Sequence, residues 1–313
     1  MPHPYLDPIA PLEYYSRPGP MTNPCEHADL YLGLPHDLDG LCRVVQGTMV
    51  HVFHLKHYGL GDLPEERKGE VQLRFVARML GRLRAMEDAP LVVARPPERR
   101  LVGNCRDHTV LLCSLLRNLG IPARARCGFA TYFIPGHYED HWVGEYWQAA
   151  ERRWVLVDAQ FDALHIELYH PDFDVHDVPR DRFITGGKAW QLCRTGQADP
   201  NDFGIFDMKG LRFVCGNLLR DLAALNRMEL LPWDLWGLML KDSAEYDNDD
   251  LVALDHAADL VLAGNDSFTD MRALYHEHAG LRLPRVIQSF VGGALTEVDL
   301  GEQDPTGVLA GTR

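Results

Sequence analysis

Apolar positions recur at helical spacing along most of the chain and at strand spacing mainly in its middle. Leu41, Val44, Val45, Met49, Val52 and Phe53 predict one helix over 39–58, and a second is expected over 65–86. The segment "APLVVARPPERR" reads as a loop, because Pro96-Pro97 forbids a helix there. The next helix is better marked. Leu111, Leu112, Leu115, Leu116 and Leu119 make a wide apolar face, Asn104 is a suitable N-cap, and Asp107 sits where a negative charge suits the dipole. Gly120 and Pro122 end it. "ARARCGFATYF" (123–133), "HWVGEYWQ" (141–148) and "RWVLVDAQF" (153–161) read as strands, the last two joined by the short turn "AAER". From about 171 the period becomes helical again, in "GKAWQLCRTG", "LRFVCGNLLRDLAALNRM", "DDLVALDHAADLVLAG" and "FTDMRALYHEH". Three sections follow: an irregular Pro-rich lead-in over 1–38 that packs as a surface strap, a core over 39–170, and a mainly helical elaboration over 171–313 packed on it.

Length and composition change this picture little. The 313 residues are 46% hydrophobic, enough for a sizeable core. The formal charge of −14 argues against a nucleic-acid binder, which needs a basic face, and against docking on an anionic membrane. No apolar run reaches membrane-spanning length, and the N-terminus lacks the basic and apolar regions of a signal peptide, so a cytoplasmic location is expected. The seven cysteines are scattered, with no CxxC pair, and read as reduced thiols.

One of them is placed unusually. Cys105 opens the Leu-rich helix, where unpaired N–H groups favour an anion and would lower the thiol's pKa. A structural cysteine is the plain alternative. A nucleophile needs a base, and His141 stands on the next-but-one element. Asp158, on the neighbouring strand, is placed to fix the imidazole's tautomer. Cys, His and Asp thus fall at a helix start, a strand and the following strand, the layout of a thiol triad.

"GNCRDHTVLLCSLLRNLGIPARARCGF", "HWVGEYW" and "RWVLVDAQ", in this order and spacing over roughly 70–165, resemble the transglutaminase-like superfamily. The resemblance implies an α+β fold with a papain-like core, a Cys-bearing helix packed on an antiparallel sheet, followed here by a helical C-terminal half. It implies Cys105 as nucleophile, His141 as base and Asp158 as the orienting acid. Arg106 stands where animal transglutaminases carry Trp, and no calcium loop or CxxC pair is present; crosslinking in the animal manner and peptide N-glycanase activity are not expected.

The expected activity is cysteine-dependent acyl transfer on an amide or ester through a Cys105 thioester, resolved by water or by an amine. The substrate would be a peptide, a protein or a small-molecule amide or amine, and no cofactor is expected. The Cys105 N–H is the first oxyanion donor; the second is open among Asn104, a tryptophan and an upstream polar side chain. Asn104, Trp142 and Glu145 are candidates to support the site, although Glu145 suits an ion pair with Arg124 or Arg126 equally well. His51, His54 and His57 drift around a helix with no carboxylate to join them, so no metal site is expected. His108 reads as a packing or capping residue. The competing class is a binding module that keeps the fold without catalysis.

Overall fold

Why the first predicted helix breaks is visible in the computed structural model, which describes residues 9–311. After α1 (Pro11–Tyr15), helix α2 runs only over Leu38–Thr48. The Thr48 hydroxyl donates back to the carbonyls of Val44 and Val45. The chain then turns extended as β1 (Met49–His51) and passes into a 3₁₀ turn over Val52–Tyr58. β1 pairs in parallel with β2 (Leu101–Gly103), so tertiary pairing overrides the helical period. The second expected helix is shortened likewise. A 3₁₀ segment over Glu65–Gln72 precedes α3 (Val76–Met86), and between them Arg74 turns inward to a buried ion pair with Asp234 at 2.7 Å.

Helix α4 (Cys105–Asn118) begins where the sequence marks it. Asn104 Oδ1 accepts the N–H groups of Arg106 and Asp107, and Asp107 accepts the Asn104 N–H, a reciprocal cap. Gly120 takes the left-handed conformation (φ 73°) that a residue with a side chain would resist. Strands β3 (Ala123–Ala130), β4 (Tyr138–Gln148) and β5 (Arg153–Val157) form consecutive antiparallel pairs. After α5 (Ala163–Tyr169), the short β6 (Phe183–Thr185) pairs with the outer side of β3.

The section from 171 onward is mainly helical, with α6 (Gly186–Arg194), α7 (Leu211–Leu225), α8 (Asn248–Ala263) and α9 (Phe268–Glu277). It also completes the central sheet, an addition to what the periodicity suggests. Besides β6, it supplies β7 (Phe203–Ile205), which pairs with the start of β4, and β8 (Met208–Lys209), which pairs with β7. Helix α7 does part of the work of a strand along β3. Asp221 accepts the Cys127 N–H and holds Arg126 through both oxygens, while Asn217 donates to the Gly128 carbonyl. A second, three-stranded sheet joins β9 (Asp234–Leu235), β10 (Val286–Val291) and β11 (Ala294–Asp299).

The lead-in is not merely a strap on the surface. Tyr15 and Met21 are fully buried among α6, α7 and α9 residues, and Tyr15 donates to the Leu225 carbonyl. Among the described residues no helix is long and apolar enough to cross a membrane.

Candidate active site

α4 and β4 bring the sequence-predicted residues together because the helix start and the middle of the strand meet at one end of the sheet. Cys105, His141 and Asn104 line a single pocket of about 680 Å³, within the size range of small-molecule sites. Asp158 follows the last residue of β5 and is buried. His141 Nε2 lies 2.7 Å from Asp158 Oδ2. That engages Nε2 as the donor and leaves Nδ1 as the ring's basic nitrogen. Asp158 also accepts the Tyr132 hydroxyl at 2.8 Å and the Gln160 N–H at 3.2 Å. Burial alone would raise its carboxyl, but His141, Tyr132 and Gln160 outweigh that and hold it below the usual range.

Cys105 departs from expectation. The helix start was expected to lower its thiol; instead, burial pushes the thiol well above its ordinary value. The Asp140 carboxylate adds to the rise, and the Trp142 backbone N–H, which donates to the sulfur, opposes it. Cys105 is only 8% exposed, so its sulfur has lost most of the water that would solvate a thiolate.

The supporting candidates separate clearly. The Asn104 side chain caps α4 through Oδ1, while its buried Nδ2 has no partner. Trp142 is wholly buried in the core beside α4 and reaches the sulfur through its main chain rather than its indole. Glu145 is fully buried and accepts from Arg124, Arg126 and Arg180, so the ion-pair alternative is the one the geometry realises. It lines a second cavity, away from Cys105. Arg106 turns backward as well, donating to the Glu229 and Arg74 carbonyls and to Asp107.

Residues that the sequence pattern did not single out hold Asp158 or line the pocket. Tyr132, in the tail of the "FATYF" stretch, carries no motif, and only the fold reveals its bond to Asp158. The histidines read as drifting round a helix lie instead on the strand and 3₁₀ turn, where they meet others. His51 stacks at 6.2 Å on His108, and His54 Nδ1 bonds His165 Nε2 at 3.1 Å. His165 Nδ1 donates to Asp162, which makes its Nε2 the acceptor; His54 Nε2 then accepts from the Tyr169 hydroxyl. Burial, then the neighbouring imidazoles, lowers His54 to about 4, and burial lowers His108 to about 4, so both are neutral near pH 7. Among the described residues no three His, Cys, Asp or Glu side chains converge to hold a metal ion. The far wall comes from the C-terminal section and is apolar: Phe213, Trp233, Leu235, Met239, Leu240 and Leu295.

Residues 87–159 match the family model of the transglutaminase-like superfamily. The match spans Cys105, His141 and Asp158 and covers α4 and β3–β5, the papain-like α+β core. A solved structure from Cytophaga hutchinsonii, described as a candidate cysteine protease, is 14% identical, with a TM-score of 0.32 over 59% of this chain and 48% of that one. This chain thus spans about half of that protein's length. No curated protein matches the chain. The family match supports a cysteine-dependent enzyme in general terms.

Proposed function

We propose that the protein is a cysteine-dependent acyl-transfer enzyme, with Cys105 as nucleophile, His141 as base and Asp158 as the residue that orients His141. The observation that carries this reading is the buried 2.7 Å bond from His141 Nε2 to Asp158, on a ring that lines the same pocket as the Cys105 sulfur. It holds the imidazole in the tautomer whose Nδ1 can take a proton.

Burial favours the neutral thiol before substrate arrives. Attack is then coupled to proton transfer: the Sγ–C bond forms at the amide or ester carbonyl as the thiol proton passes to His141 Nδ1. The oxyanion is met by the Cys105 N–H at the helix start and by Asn104 Nδ2, which is buried and unpartnered on the pocket wall. His141 returns the proton to the leaving group. Water, or an amine, then attacks the thioester, and the C–S bond breaks to restore the thiol.

The test is intact and peptide mass spectrometry after brief exposure to p-nitrophenyl acetate. One acetyl group on Cys105 is expected in the wild type. His141→Ala is expected to slow its appearance by about 10²–10⁴-fold, the usual range for a positioned base. Acetylation of Cys105 at the same rate in both proteins would sink the reading and favour a binding module. Since the thiol is raised, iodoacetamide labelling of Cys105 in the free protein should climb only above about pH 8.5, the value of an ordinary thiol.

A further inference from the structure

The pocket that holds Cys105 is lined mostly by aromatic and aliphatic side chains. Four of its charged lining residues are engaged by the protein, and two others, Asp207 and Lys209, stand at the β7–β8 turn. Asp140 accepts from Asn217, Arg220 donates to Asn217 and to the Asp234 carbonyl, Arg212 donates to the Met239 carbonyl, and Glu139 pairs with His137. Beside these groups the lining is mainly aromatic and aliphatic, and it includes the far wall described above. The whole pocket, at about 680 Å³, has room for a small-molecule acyl group.

Its mouth carries a strained feature. β7 and β8 are joined by the two-residue turn Phe206-Asp207, in which Phe206 adopts φ 55°. Glycine normally fills such a position, because a side chain there meets the backbone. A phenylalanine gains nothing by burial in return, since Phe206 is 71% exposed. It meets Phe53, itself 54% exposed, edge to face at 5.3 Å across the pocket mouth. A strained backbone that holds one exposed aromatic ring against another, in the pocket that Cys105 lines, points to a third apolar group between or beneath them.

We propose that the acyl donor carries a large apolar acyl group, aliphatic or aromatic, which lies along the far wall while Phe53 and Phe206 close over its outer end. The inference rests on the acyl-transfer reading above and deepens it by naming the substrate class. In each turnover Cys105 Sγ bonds to the carbonyl carbon, the donor's alkoxide or amine leaves with the proton held by His141, and the apolar acyl group stays in the pocket as a thioester.

The experiment compares p-nitrophenyl octanoate with p-nitrophenyl acetate, and with a benzyloxycarbonyl-glutaminyl-glycine peptide. Acylation of Cys105 is followed by mass in the wild type and in Phe206→Gly. A free small thiol gives the intrinsic reactivity ratio of the two esters. The expected result is a preference for octanoyl of about tenfold or more over that ratio, the scale of discrimination an apolar pocket supplies. Phe206→Gly, which suits the turn's backbone, should cut the preference several-fold. A ratio like that of the free thiol, or faster thioester formation from the glutaminyl peptide, overturns the inference while leaving acyl transfer intact. Binding is measured separately, by calorimetry of octanamide with the Cys105→Ala protein. Binding there without any acylation of the wild type would sink the acyl-transfer reading and retain the apolar site. No binding of octanamide would overturn the inference whatever the esters do.

Discussion

The pocket has two walls, built in opposite ways. The wall that carries Cys105 and His141, the catalytic wall in the role proposed above, comes from one continuous stretch, 104–160, and its key groups sit in a web of polar partners. His141 is fixed by Asp158, Asp158 by Tyr132 and Gln160, and the sulfur by the Trp142 N–H. Behind it, buried arginines and carboxylates tie the strands to α7. The outer wall gathers segments far apart in the chain, the 3₁₀ turn at 52–58, the β7–β8 hairpin and the β10–β11 hairpin, and its rim is half exposed. The first wall fixes its side chains through hydrogen bonds that tolerate little displacement. The second offers shape and apolar surface, and its exposed rim can change without unfolding the protein.

The largest effect that would break this contrast is a loss of fold from the catalytic side. Glu145→Ala leaves Arg124 and Arg126, both nearly buried, facing an emptied site. Removing one partner of a buried ion pair costs about 3–5 kcal/mol, so urea unfolding should show a loss of that order. A change under about 1 kcal/mol would mean that the web is not what holds this wall. The carboxyl gives a pH signature. Burial pushes it up, but Arg124, Arg126 and Arg180 more than reverse this, so it lies well below the usual range. For a depressed carboxyl the contribution is present above the unfolded value, about 4.3, and is lost as pH falls towards the folded one. The stability gap between wild type and Glu145→Gln should therefore hold steady from pH 8 to 5 and narrow in acid.

A smaller effect sharpens the contrast within the catalytic wall. Tyr132→Phe removes one donor from Asp158 but leaves His141 and the Gln160 N–H in place. A lost hydrogen bond to a charged group is worth about 1.5–3 kcal/mol, part of which the other donors recover. Cys105 acylation is expected to slow about tenfold, with the midpoint of unfolding little changed. An unaltered rate would make Tyr132 a packing residue.

How far each wall was legible follows from the same difference. The placement of Cys105, His141 and Asp158 on neighbouring elements could be read because helix start, strand and next strand are local signals, with Asn104 and Gly120 marking the helix ends. Tyr132 carries no periodicity of its own, and its role depends on where its hydroxyl falls in space. The 39–58 segment was misjudged because its apolar spacing suits a helix, whereas β1 is set by a partner some fifty residues away, Met49 facing Leu101. The β10–β11 hairpin turns on Gly292-Gly293, both at positive φ, and was not picked out. The outer wall was invisible for a related reason: an exposed Phe206 or Leu295 looks like any surface apolar residue until a cavity is found beneath it.

The smallest predicted effect has the opposite sign and probes the outer wall directly. Placing a side chain in the left-handed conformation costs roughly 1–2 kcal/mol, which glycine does not incur. Against this, Phe206→Gly loses an aromatic pair, worth about 0.5–1.5 kcal/mol when packed and least for rings as exposed as these. Relief of strain should exceed the lost contact, and the variant is expected to be more stable by up to about 1 kcal/mol, seen as a rise of a few degrees or less in Tm. A gain in stability together with a loss of octanoyl preference would mean that the turn keeps its strain for the sake of the substrate. A loss of more than about 1 kcal/mol would instead make Phe206 part of the fold's support, and the two walls would no longer differ in kind.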